Sequence, residues 1–92
     1  MKRFDQSLAN AEADYSAWRE SNSNGFILNE TPGEWLLHRA SCSHLQQFAA
    51  FEAELVSTPK SCSTDIAELY LYARQQGEQL RRCNSCSPPP EA

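Results

Sequence analysis

The residues best suited to chemistry in this chain fall in two short groups, "HRASC" at 38–42 and "CNSC" at 83–86. The first is His38-x3-Cys42 and the second Cys83-x2-Cys86, so each half offers two nitrogen or sulfur donors. Four such donors are what a tetrahedral zinc ion takes, at about 2.0–2.3 Å. A Cys-x2-Cys turn holds two thiolates on one ion while its amides point towards the sulfurs. His38 and Cys42 can do the same from a strand end and the turn that follows. Joined by an ion, the halves tie residue 38 to residue 86 and enclose most of the domain. That matters in a chain of 92 residues, because so small a fold has a thin stability margin and a structural ion turns binding energy into folding energy.

Two neighbours compete for places in that set. Cys62, in "PKSCST", reads first as a small buried thiol, and second as a ligand replacing His38 in a four-cysteine site. His44 reads as an exposed residue in the first turn of a helix, with a ligand role as the alternative. Catalytic zinc keeps three protein ligands and an open position, and no convincing general base accompanies these residues, so no catalytic residue is assigned. A thioredoxin-type Cys-x2-Cys opens a helix after a strand, whereas this one follows a helix. With three glycines in all, the chain has no phosphate-cradling glycine loop.

The elements that must position the donors are short, and together they predict an α+β fold. Phe4, Leu8, Ala11, Tyr15 and Trp18 recur at steps of four and three, which predicts one amphipathic helix over about 3–20, packed on the core, with a partner-binding helix as the alternative. "SNSNG" at 21–25 stops it. The apolar runs at 26–29 and 34–38 flank the Pro-Gly of "NETPGE" and predict a β-hairpin, with His38 at the exit of its second strand. A helix candidate follows at 43–55, then a loop with a brief strand around Lys60 to Cys62. "STDIAELYLYARQQG" predicts a helix capped by Ser63 or Thr64, with Asp65 and Glu68 at its positive end and Gly77 at its stop. The organisation is an N-terminal helix over 1–22, a metal-binding core over 23–86, and a disordered proline-rich tail over 87–92.

A net charge of −4 argues against strong non-specific binding to nucleic acid or anionic membrane. The N-terminus has no apolar run of the kind a secretory signal needs, and no stretch approaches the 18–20 or so apolar residues of a membrane span. The expected setting is the cytoplasm, where stable disulfides are rare and clustered cysteines bind metal or do redox chemistry.

"LLHRASCSH" together with "CSTDIAELYLYARQQGEQLRRCNSC" resembles the metal-binding domain of the Ada DNA-repair protein and similar small stand-alone zinc modules. The match runs in order over about residues 34–86: His38, Arg39, Ala40, Ser41 and Cys42, then Ser63, the helix to Gly77, Leu80, Arg82, Cys83 and Cys86. The resemblance implies a zinc module with a hairpin, a helix and a four-ligand site at His38, Cys42, Cys83 and Cys86. In Ada one ligand cysteine accepts a methyl group from DNA phosphotriesters. Here that position is His38, and an imidazole is not the thiolate nucleophile that chemistry requires. The expected function is therefore a structural zinc module that binds a protein partner and is not an enzyme. One alternative is a DNA- or RNA-binding accessory domain that grips phosphates with Arg39, Arg81 and Arg82. Another is a metal-free thiol or redox protein.

Overall fold

A computed structural model describes residues 1–42 and 58–91. Its elements are strand β1 (Lys2–Phe4), helix α1 (Ala11–Ser21), strands β2 (Phe26–Asn29), β3 (Trp35–Arg39) and β4 (Lys60–Ser63), helix α2 (Ile66–Gln75), and strand β5 (Leu80–Arg82). The five strands form one sheet in the order β1-β4-β2-β3-β5. Every pairing is antiparallel except that of β3 with β5, which is parallel. The expected α+β class holds, as two helices on a five-stranded sheet among the described residues. The helix expected at 43–55, and His44 within it, lie outside the described residues.

Among the described residues, each face of the sheet carries one helix. Because side chains alternate across a strand, Ile27 and Cys62 point to one face, where they pack with Phe4 and with Ala11 and Tyr15 of α1. Leu28, Trp35 and Leu37 point to the other, where Leu69, Tyr70 and Ala73 of α2 cover them.

The N-terminal segment departs from the sequence expectation. Phe4 and Leu8 continue the helical spacing, yet residues 2–4 form a strand in register with β4, with Phe4 opposite Lys60. The interruption is local. The Asp5 carboxylate accepts the Ser7 amide at 2.8 Å and also the Ser7 hydroxyl, a turn that diverts the backbone from helix. Asn10 then sits at φ 60 immediately before α1. Leu8 is left half-exposed, and only Ala11, Tyr15 and Trp18 of the stripe serve as the helix face.

Gly25 is required at the corner between α1 and β2. A Cβ there would lie 2.8 Å from Cη2 of Trp18, 3.1 Å from the Asn22 carbonyl oxygen and 3.2 Å from the Ser63 carbonyl oxygen. The hairpin from β2 to β3 turns through Gly33 at φ 88 and is closed by the Thr31 hydroxyl donating to Glu34 O at 2.6 Å.

The cap of α2 is one or two residues later than expected. Asp65 is the N-cap and accepts the Ala67 amide at 3.1 Å. Ser63 supports it from the strand end: its hydroxyl accepts the Asp65 amide and donates to Glu68. Gly77 does end the helix, at φ 70, with Gly77 N–H to Arg74 O and Glu78 N–H to Ala73 O as paired closing bonds.

The tail expected to be disordered instead lies along α2. Pro88 is fully buried, Tyr70 Oη donates to Pro89 O at 2.8 Å, Arg82 donates to Pro88 O, and Arg74 pairs with Glu91. Proline gives up no amide that would need a partner, so its free carbonyls can serve as acceptors for side chains of α2 and β5.

Candidate metal centre

The four donors come together because β3 and β5 run parallel. Leu37 is opposite Arg82 in that ladder, and the Cys83 amide extends it by donating to Leu37 O at 2.9 Å. Parallel strands leave a sheet at the same end, so the chain after His38 and the chain after Arg82 emerge side by side. An antiparallel β5 would have sent Cys83 and Cys86 to the opposite end.

Past that end each half closes on itself. On the first side, the Cys42 amide donates to Arg39 O at 2.9 Å, turning Cys42 back over the strand, while Ala40 N–H is fixed to Gly25 O. On the second, the Ser87 amide donates to Cys83 O at 2.9 Å, with Ser87 at φ 46 as the turn leaves. The donor atoms of His38, Cys42, Cys83 and Cys86 all lie within 4.8 Å of one another. Cys42 Sγ and Cys83 Sγ are 3.9 Å apart, close to the ~3.8 Å edge of a tetrahedron with 2.3 Å zinc–sulfur bonds. His38, Cys42 and Cys83 are buried at 4%, 3% and 4% exposure, and Cys86 is half-buried.

The electrostatics favour a cation. Burial opposes ionisation of Cys83, yet the amides of Cys86 and Ser85 and the neighbouring thiols hold it below an ordinary thiol. Burial pushes Cys86 up; the Arg39 amide opposes this, and the nearby thiols of Cys42 and Cys83 add to it. Of these two thiols Cys83 is the readier to ionise and Cys86 the more reluctant. A divalent ion reverses that reluctance, since coordinated thiols are deprotonated outright. One imidazole and three thiols, in a set of this size and softness, suit zinc.

The register also settles the place of Cys62. Lys2, Cys62, Ile27 and His38 form one row across β1, β4, β2 and β3. Cys62 is therefore two strand spacings, about 10 Å, from His38, with Ile27 between them. It is a fully buried core thiol, pushed up to about 12 by burial. No disulfide joins any of the four cysteines.

The arginines beside the donors are engaged. Arg39 donates to Cys86 O and Ser87 O, Arg81 pairs with Glu34, and Arg82 reaches Pro88 O. Arg81 and Arg82 also border an open groove of about 500 Å³ with Tyr70 and Asn84, next to Cys83. The four residues expected from the sequence are the ones the structure brings together, but β5 was not expected. "LRR" offers one apolar residue in three, too little pattern to mark a strand.

Comparison with models of protein families, with curated proteins and with solved structures finds no match. Among the described residues no helix is long and apolar enough to cross a membrane.

Proposed function

We propose that this chain is a small zinc module of the Ada-like kind, in which His38, Cys42, Cys83 and Cys86 hold one structural ion and the domain acts by binding a protein partner in the cytoplasm. The observation that carries the metal reading is the convergence of four nitrogen and sulfur donors within 4.8 Å, on two strand exits delivered to one end of the sheet. Four protein donors complete a tetrahedral shell and leave no position for water or substrate, which supports a structural rather than a catalytic ion. His38 in place of a thiolate supports the same reading and leaves out methyl transfer. The partner-binding surface is not the aromatic stripe of α1, since Tyr15 is buried at 1% exposure and Trp18 packs on the core.

Nucleic-acid binding is the second reading, favoured by Arg81 and Arg82 flanking the groove beside Cys83. Charge counts against it. Ionising three ligand thiols removes three charges and zinc returns two, which takes the chain from −4 to −5. Arg39 is committed to carbonyls inside the fold. Duplex affinity that falls steeply with salt and with Arg81→Ala and Arg82→Ala would favour this second reading over the first.

Native mass spectrometry of protein expressed with zinc, before and after acid, tests the metal reading. The expected result is one zinc per chain with a loss of about three protons, lost on acidification and in Cys83→Ser, but kept in Cys62→Ala. A folded wild-type protein that carries no metal overturns it.

A further inference from the structure

Arg39 sits between two of the ligands in sequence, and nearly all its polar groups are turned to the centre. Its backbone amide lies 3.2 Å from Cys86 Sγ, and its carbonyl accepts the Cys42 amide at 2.9 Å. Its side chain then reaches over the second half: Nε donates to Cys86 O at 2.8 Å and an Nη to Ser87 O at 3.2 Å. The guanidinium is held from behind by the Phe26 ring, 5.9 Å from the ring centroid. One residue thus grips Cys86 at both its sulfur and its carbonyl while closing the turn that carries Cys42.

The other ties of the second half are mostly internal to it: the Cys86 and Ser85 amides turn to the Cys83 sulfur, and the Ser87 hydroxyl donates to Asn84 O. His38 is fixed by the β2–β3 ladder, and Cys83 by its amide on Leu37 O at the end of the β3–β5 ladder. Cys86 is beyond it, is the least buried donor, and its turn is closed by the Ser87 amide on Cys83 O. Those bonds close the Cys83–Ser87 turn on itself, whereas the Arg39 bonds join Cys86 and Ser87 to the backbone and side chain of the first half. Arg82, of the same charge and also near the centre, makes its bond to Pro88 O in the tail and leaves the turn alone.

We propose that Arg39 is the positioning residue of the metal centre, the strap that holds the Cys83–Cys86 turn in register with His38 and Cys42. It touches no ion itself. It acts by setting where Cys86 Sγ stands and by slowing the opening through which the ion leaves. Ties of this outer kind typically change metal affinity by 10–100-fold. The guanidinium fork matters as well as its charge, because one planar group serves two carbonyls and a lysine ammonium serves them less well. This rests on the metal reading above.

The experiment is cobalt(II) substitution of the full chain, read by the visible absorption of the bound ion, followed by competition with a chelator of known affinity. Wild type should show tetrahedral, thiolate-rich bands. Arg39→Met should bind cobalt and zinc about 10–100-fold more weakly and release them faster, with altered band positions. Arg39→Lys should recover part of that loss, and Arg82→Met should remain within about threefold of wild type. If wild type gives no such spectrum, the metal reading itself fails. If wild type binds and Arg39→Met matches it in affinity, release rate and spectrum, only the strap is overturned. Should Arg39→Met fail to fold even with metal, Arg39→Lys against Arg82→Met decides: equal affinities for those two overturn the proposal.

Discussion

Removing the metal should cost this protein a large part of its stability, and the size of the loss can be worked from the fold. An ion held by Cys42 and Cys83 closes a loop between residues 41 apart in sequence. Treated as a cross-link, a loop of that length constrains the unfolded chain by about 4 kcal/mol. A domain of 92 residues has a total stability of roughly 5–14 kcal/mol, so the link supplies between a third and most of it. At ~4–8 °C for each kcal/mol in a domain of this size, chelation should lower Tm by about 15–30 °C. The assay is thermal unfolding followed by far-UV circular dichroism, with and without a strong chelator, and with metal loss verified by mass. A Cys83→Ser, Cys86→Ser double variant should start near the chelated value and not respond to the chelator. If the ion is verifiably gone and Tm moves by less than about 3 °C, then the sheet holds itself together and the reasoning from loop closure is wrong.

Cys62, buried and pushed up to about 12, should resist alkylation by iodoacetamide at pH 8 in the native zinc-loaded protein and react once urea unfolds it, and Cys62→Ala should still bind one zinc while losing about 1–3 kcal/mol in urea titration. The Lys60 amine, pushed down to about 8 by burial, is bound to Asn29 Oδ1 and Thr58 O. Its native form sheds a proton that the unfolded form keeps, so from pH 8 to 9 this group makes stability rise by about 1 kcal/mol; urea midpoints for wild type should therefore climb more over that interval than those for Lys60→Met. Gly25→Ala should lose about 1–3 kcal/mol in the same titration, because two of the three close contacts are backbone oxygens that cannot step aside. Trp18 packs on the cluster that contains Cys42 and Cys83, and Trp35 belongs to the opposite one; fluorescence of Trp35→Phe and Trp18→Phe variants should show coincident urea transitions with zinc, and after chelation the Trp18 transition should fall further than that of Trp35.

The hairpin, the strand at Lys60 and the helix ending at Gly77 were legible because their signals are local: apolar runs around a Pro-Gly turn, a short run before a capped helix, a glycine at positive φ. The donor set was legible for a different reason, since reactive side chains at short spacing are rare enough to stand out without knowledge of the fold. The first ten residues misled, because the steps from Phe4 to Ala11 fit a helix while the decisive interaction, Asp5 with Ser7, is a turn between two unremarkable polar residues. The tail misled because proline content signals a lack of regular structure, not a lack of contacts. Pro88 and Pro89 are held by Arg82 and Tyr70, residues well back along the chain. Strand β5 and its parallel pairing could not be read at all. Three residues of mixed character carry no period, and nothing in them sets the direction of pairing with β3.

That unread strand would make the proposed metal centre more than a local clip. The two hydrophobic clusters lie on opposite faces of the sheet, one under α1 and the other under α2, and each is small. Among the described residues, β2 and β3 contribute side chains to both, and so does the C-terminal segment. Leu80 packs with the α2 cluster, Cys83 and Cys86 with the α1 cluster, and Pro89 and Glu91 return to α2 through Tyr70 and Arg74. The segment therefore wraps around the open end of the sheet, and its middle is where the donors meet. An ion there would fix a stretch whose displacement loosens both faces at once. A cross-link of equal loop length placed inside either cluster would constrain the unfolded chain as much without tying one face to the other. A centre at the common exit of two parallel strands would add a tie between faces that the shared strands β2 and β3 already join.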